Sequence, residues 1–190
     1  NIAQGVEKVE PETTCFAFVG DSTFFASAIT GVVNAVYNQA NMILVVLDNS
    51  TTAMTGHQPH PGTGRTVMGE IVQKINIEQV LRGIGVTEIE TINPLELEAS
   101  VSCVKRMAEK SGVRAIIFKA PCIAVTKPKA PLHVDQDSCI GCKKCIRDLG
   151  CPAIVMNDGK VCIDASMCTG CHLCSQVCPV CAIAGGDDHE

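Results

Sequence analysis

Eight of the thirteen cysteines fall into two runs, Cys139-Ile-Gly-Cys142-Lys-Lys-Cys145 followed by Cys151-Pro152, and Cys168-Thr-Gly-Cys171-His-Leu-Cys174 followed by Cys178-Pro179. A tight loop with a thiolate at every third position can aim three sulfurs at one inorganic centre, while the proline after the fourth cysteine turns the chain toward a neighbouring site. The chemistry expected of that arrangement is iron–sulfur ligation and one-electron transfer. Zinc and disulfides are the competing readings. Structural zinc takes four-ligand sets rather than two interleaved three-cysteine runs ending in Cys-Pro, and disulfide frameworks belong to small secreted chains.

The second run has the C-x2-C-x2-C-x3-C-P spacing of bacterial ferredoxins, in which the fourth cysteine serves the other cluster. Crossed ligation assigns Cys139, Cys142, Cys145 and Cys178 to one [4Fe-4S] cluster, and Cys168, Cys171, Cys174 and Cys151 to a second. The first run departs from the spacing, because five residues rather than three separate Cys145 from Cys151. Ile146 to Gly150 should form a longer loop, and Cys162 or Cys181 stand as substitutes for Cys151. The cysteines left over, Cys15, Cys103, Cys122, Cys162 and Cys181, are expected to pack as buried thiols.

A second constellation lies near the N-terminus. A short apolar run, Thr14 to Val19, ends in Gly20-Asp21-Ser22, and another, Met42 to Leu47, ends in Asp48-Asn49. An Asp at one strand end and an Asn amide at its neighbour supply hard oxygen ligands suited to octahedral Mg2+. Gly20 lets the backbone approach a ligand closely, and the start of the following helix favours an anion. Asp21 as an ordinary helix N-cap is the competing reading.

The pair resembles the thiamine diphosphate motif, usually G-D-G followed by N-N, with Ser22 and Asp48 as variants. By that resemblance the carbonyl of Thr51 is a further Mg2+ ligand, and Gly20, Asp21, Ser22, Asn49, Thr51 and Met54 bind the cofactor. Met54-Thr-Gly-His57-Gln58, within Asp48 to Gly64, resembles the segment after the metal loop in 2-oxoacid:ferredoxin oxidoreductases, and specifically their indolepyruvate branch. The chain is similar to the C-terminal part of the large, alpha subunit of those enzymes. The resemblance implies oxidative decarboxylation of an arylpyruvate to an acyl-CoA, with electrons passed singly through two clusters to an external ferredoxin. It implies thiamine diphosphate, Mg2+ and coenzyme A, and a smaller beta subunit as partner. His57 is the catalytic candidate, with His60 in the same loop. The Glu that activates the aminopyrimidine ring has no counterpart here. A pyruvate- or 2-oxoglutarate-type relative, and an electron-transfer subunit whose α/β region is a docking scaffold, are the alternatives.

The elements that must position these residues alternate. A helix over Thr23 to Gln39 joins the first two apolar runs as a βαβ unit. A Gly/Pro/Thr-rich loop spans Ser50 to Thr66. Then follow a helix at Ile77 to Arg82, a strand at Val86 to Ile92, a helix at Pro94 to Ser111 and a strand at Arg114 to Phe118. The fold class expected is α/β: a three-layer αβα thiamine diphosphate-binding domain over residues 1–125 with a mostly parallel sheet, a linker at 126–131, and a small ferredoxin domain at 132–190. Its ligands should sit at the carboxyl ends of the strands.

Net charge is −5, and without a basic block neither nucleic acid nor an anionic membrane is expected as partner. From Leu132 onward eight acidic residues face four basic ones, a balance that could steer a basic electron partner. With no apolar run long enough to span a bilayer and no signal pattern, the expected location is cytoplasmic. The chain opens at Asn1, and Ile2 to Val9 reads as the tail of a helix, so a piece of a longer polypeptide is expected.

Overall fold

The computed structural model describes residues 1–127 and 129–185; Pro128 of the expected linker and the last five residues of the expected ferredoxin domain lie outside them. The chain forms two compact units, Asn1–Val125 and Thr126–Glu190.

The first unit is built on four parallel strands, β1 (Cys15–Gly20), β2 (Met42–Asp48), β3 (Glu88–Ile92) and β4 (Val113–Lys119), in the order β1-β2-β4-β3. β2 and β4 are central and read as continuous apolar runs because both of their faces are covered. One face packs Leu44, Val46, Ala115 and Ile117 under Phe24, Val32 and Leu81. The other packs Ile43, Val45 and Ile116 under Cys103 and Met107. The helices responsible are α3 (Ile29–Tyr37) and α4 (Ile77–Ile84) on the first face, and α5 (Leu97–Glu109) on the second. This is the three-layer arrangement the alternating pattern predicts.

Helix α1 (Ile2–Val9) precedes β1, and Gln4 ties it to α3 by donating to the Gly31 carbonyl at 2.8 Å and accepting from Asn34 at 2.6 Å. The helical stretch after β1 is not uniform. It starts as α2 (Asp21–Thr23), widens into a π segment at Phe24–Ala28, and returns to α in α3. The extra residue per turn buries Phe24 completely and swings Phe25 edge-on to it, ring centroids 5.3 Å apart, toward the strand ends. Such π segments recur at functional sites.

The second unit contains two antiparallel pairs, β5 (Leu132–Val134) with β8 (Ile183–Gly185) and β6 (Ile154–Asn157) with β7 (Lys160–Ile163), and two short helices, α6 (Lys144–Leu149) and α7 (Leu173–Val177). Asp158 and Gly159, both at positive φ (48° and 79°), make the tight turn between β6 and β7. The sequence repeat is a backbone repeat as well. Gly141 and Gly170 share φ 67°, and Lys143 and His172, before the two helices, lie at 58° and 61°. Cys139 donates to the Asp135 carbonyl and Cys168 to that of Asp164, each at 3.0 Å. Among the described residues no helix is long and apolar enough to cross a membrane.

Candidate functional site

Asp21 sits where β1 ends, 2% exposed, with its carboxylate turned across to the loop after β2. Oδ1 accepts from the Ser22 amide at 2.7 Å and Oδ2 from the Ser50 amide at 2.8 Å. Ser50, at φ 61°, also donates to Asp48 Oδ1 at 3.1 Å, so one amide bridges two carboxylates. Thr52 Oγ1 donates to Ser22 Oγ at 3.0 Å and fastens the same two loops again. Asn49 Oδ1 accepts from the Thr51 amide at 3.1 Å, and the buried Thr51 turns its carbonyl to the Ala53 amide. Asp48 is not directed at Asp21; its Oδ2 lies 3.3 Å from Lys119 Nζ at the end of β4.

Burial raises the Asp21 carboxyl above the ordinary carboxylate range, with the nearby Asp48 adding to the shift, while the Ser22 and Ser50 amides and His60 oppose it. A charge kept dry beside a second carboxylate is the electrostatic condition a divalent cation relieves. Gly20 points the same way. Its φ of −75° needs no glycine, and a Cβ there would meet nothing within 4 Å. The protein's own packing leaves that space open, as close approach by a ligand requires. Hard oxygens from Asp21, Asn49 and Thr51, each retaining a lone pair, suit a Mg2+–diphosphate. These residues fit the group.

The two histidines of the loop part company. His57 is exposed, at φ 63°, and Met54, in the 3-10 turn Ala53–Thr55, is fully exposed. His60 is buried, with Nε2 3.2 Å from Asp21 Oδ2. Its Nδ1 accepts from the Gly62 amide at 3.2 Å, and its ring lies 5.8 Å from that of Phe25. Sequence reading put both histidines in one loop. The signal separating them was the flanking Pro59 and Pro61 and the following Gly62, where a Cβ would come within 3.1 Å of the imidazole. Beside this cluster a polar cavity of about 370 Å3 opens at the strand ends, lined by Asp48, His60, Lys74, Asn76, Glu78 and Lys119.

Residues 1–118 match the family model described as Thiamine pyrophosphate enzyme, C-terminal TPP binding domain. The chain belongs to the thiamine pyrophosphate enzyme family. It is similar to the indolepyruvate oxidoreductase subunit IorA of Methanothermobacter thermautotrophicus, 46% identical over 169 residues that make up 88% of this chain and 27% of the relative. The subunit of the same name from Archaeoglobus fulgidus is 40% identical over 173 residues, 88% of this chain and 28% of that protein. The chain thus spans about a quarter of the length of these relatives. Among solved structures it shares the fold of a 2-oxoglutarate:ferredoxin oxidoreductase from Magnetococcus marinus, with a TM-score of 0.58 at 19% identity over 66% of this chain and 45% of that one.

In the second unit the thiols separate into two groups. Cys139, Cys142, Cys145 and Cys178 line one apolar cavity, with Val134, Val161 and Ile183 behind them. The thiols that act electrostatically on Cys145 are Cys142 and Cys178, and those that act on Cys174 are Cys171, Cys168 and Cys151. Cys151 reaches the second group because α6 is one residue longer than α7 and ends at Gly150, φ 57°, whereas α7 ends directly at Cys178 in extended backbone. Burial pushes the Cys145 thiol up and that of Cys174 to about 11. Backbone amides donate to cysteine sulfurs, Leu132 to Cys168 at 3.4 Å and Ala182 to Cys178 at 3.3 Å.

The leftover cysteines do not behave alike. Cys15 and Cys103 are buried, and burial raises the Cys103 thiol to about 11, with Glu90 reinforcing the shift. The expectation of burial fails for Cys122 and Cys162, which are half-buried, and for Cys181, which is exposed. Cys181 sits at φ 52° in the turn after Cys178-Pro179, which carries its side chain outward.

Proposed function

We propose that this chain is the part of an indolepyruvate-type 2-oxoacid:ferredoxin oxidoreductase that holds the diphosphate end of thiamine diphosphate through Mg2+ and carries two [4Fe-4S] clusters. When bound, thiamine diphosphate supplies the carbanion chemistry that releases CO2 from a 2-oxoacid, and the clusters supply one-electron carriers. The protein's part is placement. Asp21, Asn49 and the Thr51 carbonyl offer oxygens to the cation, Gly20 admits the diphosphate, and the Ser50 amide keeps the two strand-end loops together. Cys139, Cys142, Cys145 and Cys178 would hold one cluster, and Cys168, Cys171, Cys174 and Cys151 the other.

The observation that carries this reading is the presence, in one chain, of a thiamine pyrophosphate domain and of two thiol groups drawn from interleaved stretches of sequence. Similarity to indolepyruvate oxidoreductase subunits favours an aryl 2-oxoacid as substrate and a further subunit as partner, while coenzyme A as acyl acceptor, ferredoxin as electron acceptor and the smaller size of that partner follow from the resemblance of the sequence motifs. Since this chain matches only 27% of its relative, activity is assigned to the complete protein, in the cytoplasm. The test is on that protein, purified anaerobically with its partner subunit. About eight irons, and indolepyruvate-dependent reduction of ferredoxin that needs coenzyme A, are expected. Faster turnover of pyruvate or 2-oxoglutarate would move the assignment to those branches. Unaltered thiamine diphosphate affinity in Asp21→Ala would reduce the α/β unit to a scaffold for an electron carrier.

A further inference from the structure

We infer that His60 is a positioning residue for Asp21: its Nε2–H holds the Asp21 carboxylate in the orientation in which that carboxylate binds a divalent cation. The inference rests on the reading of Asp21 as a cation ligand.

The imidazole is fixed on three sides. The Gly62 amide points at Nδ1, 3.2 Å away, which makes Nδ1 the acceptor and assigns the proton of the neutral ring to Nε2. Phe25, delivered by the π segment, packs beside the ring, centroids 5.8 Å apart and planes tilted by 30°. Gly62 supplies the remaining room, since a Cβ there would stand 3.0 Å from Phe25 Cε2 and 3.1 Å from His60 Cε1. The backbone repeats the constraint: Thr63 donates through both its amide and its hydroxyl to the His60 carbonyl, at 2.9 and 2.8 Å.

The fixed ring presents Nε2 to Asp21 with both side chains sealed from water, 4% and 3% exposed. The contact is close, 3.2 Å to Oδ2, but bent, so Nε2 has no aligned hydrogen bond. A buried donor held this firmly and left without a good acceptor is unfavourable unless the neighbouring carboxylate has a second orientation that satisfies it. Backbone amides already mark one site on each Asp21 oxygen, and a lone pair remains on each for the imidazole N–H and for a cation. Carboxylates and histidines that ligate metals are held by outer partners in this way, and loss of such a partner weakens metal binding. A purely packing role would be met as well by an apolar ring stacked on Phe25, with no donor to satisfy.

The experiment uses the full-length protein with thiamine diphosphate in excess and Mn2+ as the probe, bound and free ion being separated by electron paramagnetic resonance. His60→Leu should weaken Mn2+ binding about 10- to 100-fold, the range for lost outer partners, with the metal-free unfolding temperature little changed. His60→Gln, which keeps an N–H, should recover most of the affinity. Gly62→Ala, which keeps the imidazole but displaces it, should weaken binding and decides the matter if the Leu variant does not fold. Wild-type affinity in His60→Leu, or a loss that Gln does not recover, overturns the proposal. If Asp21→Asn also binds Mn2+ as the wild type does, Asp21 is no ligand and the metal-site reading falls together with this one; if Asp21→Asn abolishes binding while His60→Leu leaves it intact, only the role of His60 falls.

Discussion

The two units solve the problem of having a core in opposite ways. Residues 1–125 bury both faces of the central strands β2 and β4 of a four-stranded parallel sheet, with Ile43, Leu81, Met107 and Ile116 fully enclosed. The second unit has strands of three and four residues, helices of six and five, and a core made mainly of Leu132, Ile154, Val161, Val177 and Ile183. A chain of that size rarely gathers enough apolar burial to fold without a staple. On the proposed reading its cysteines are more than ligands. Metal-site formation and folding would be one event there, whereas in the α/β unit a cofactor would be added to a scaffold already made.

The sharpest way to break that comparison is to remove the iron that the cysteines are proposed to hold. Chelation under reducing conditions should erase hydrogen-exchange protection across Lys144–Leu149 and Leu173–Val177 while leaving that of Met42–Asp48 and Val113–Lys119 in place; retained protection in the two short helices would mean a core stronger than it looks. Burial pushes the Cys174 thiol up to about 11, so metal binding there would displace its proton, and reconstitution should speed up as pH rises. The converse experiment is Ile116→Ala. Loss of a fully buried side chain between β4 and α5 should cost about 2–5 kcal/mol, measured by denaturant unfolding, with iron content per chain unaltered.

A smaller effect separates site from scaffold within the first unit. Burial raises the Asp21 carboxyl, so its ionisation opposes folding. The sign follows: both states are protonated at low pH, the unfolded chain releases its proton first as pH rises, and stability falls until the raised folded value is passed. Metal-free protein should therefore lose stability as pH climbs out of the ordinary Asp range, and Asp21→Asn should remove that slope and raise the neutral-pH unfolding temperature while abolishing the gain from Mg2+ and thiamine diphosphate. A lowered unfolding temperature in Asp21→Asn would show the carboxylate to be structural. The smallest change expected is Arg82→Ala, which removes an exposed i,i+4 pair with Glu78 and should cost about 0.3–0.5 kcal/mol.

What could be read from the chain follows the same division. The cysteine runs carry their geometry locally, and the matched left-handed positions at Gly141 and Gly170, Lys143 and His172 realise that local code. The strands of the α/β unit were legible as apolar runs because both faces of β2 and β4 are covered. The π segment was not, since an extra residue in a helical turn is decided by how Phe24 and Phe25 meet the core. Nor could spacing choose between His57 and His60. That choice is made by a turn through Pro61 and Gly62 and by a phenyl ring thirty-five positions upstream. The exposure of Cys181 was hidden for a similar reason: composition favours burial of a free cysteine, and one backbone angle overrides it.

The strand order β1-β2-β4-β3 carries a consequence for synthesis on the ribosome. β3 pairs with β4 and not with β2, so when residues 88–92 emerge the strand they pair with has not yet been made. The sheet closes only when Val113–Lys119 slides between its two neighbours. Until then β2 and β3 wait as unpaired edges, the state in which nascent chains are caught by chaperones or by one another. The first cysteine run begins twenty residues after that closing strand. With the exit tunnel delaying it further, the sheet has time to finish before the cysteine runs are exposed.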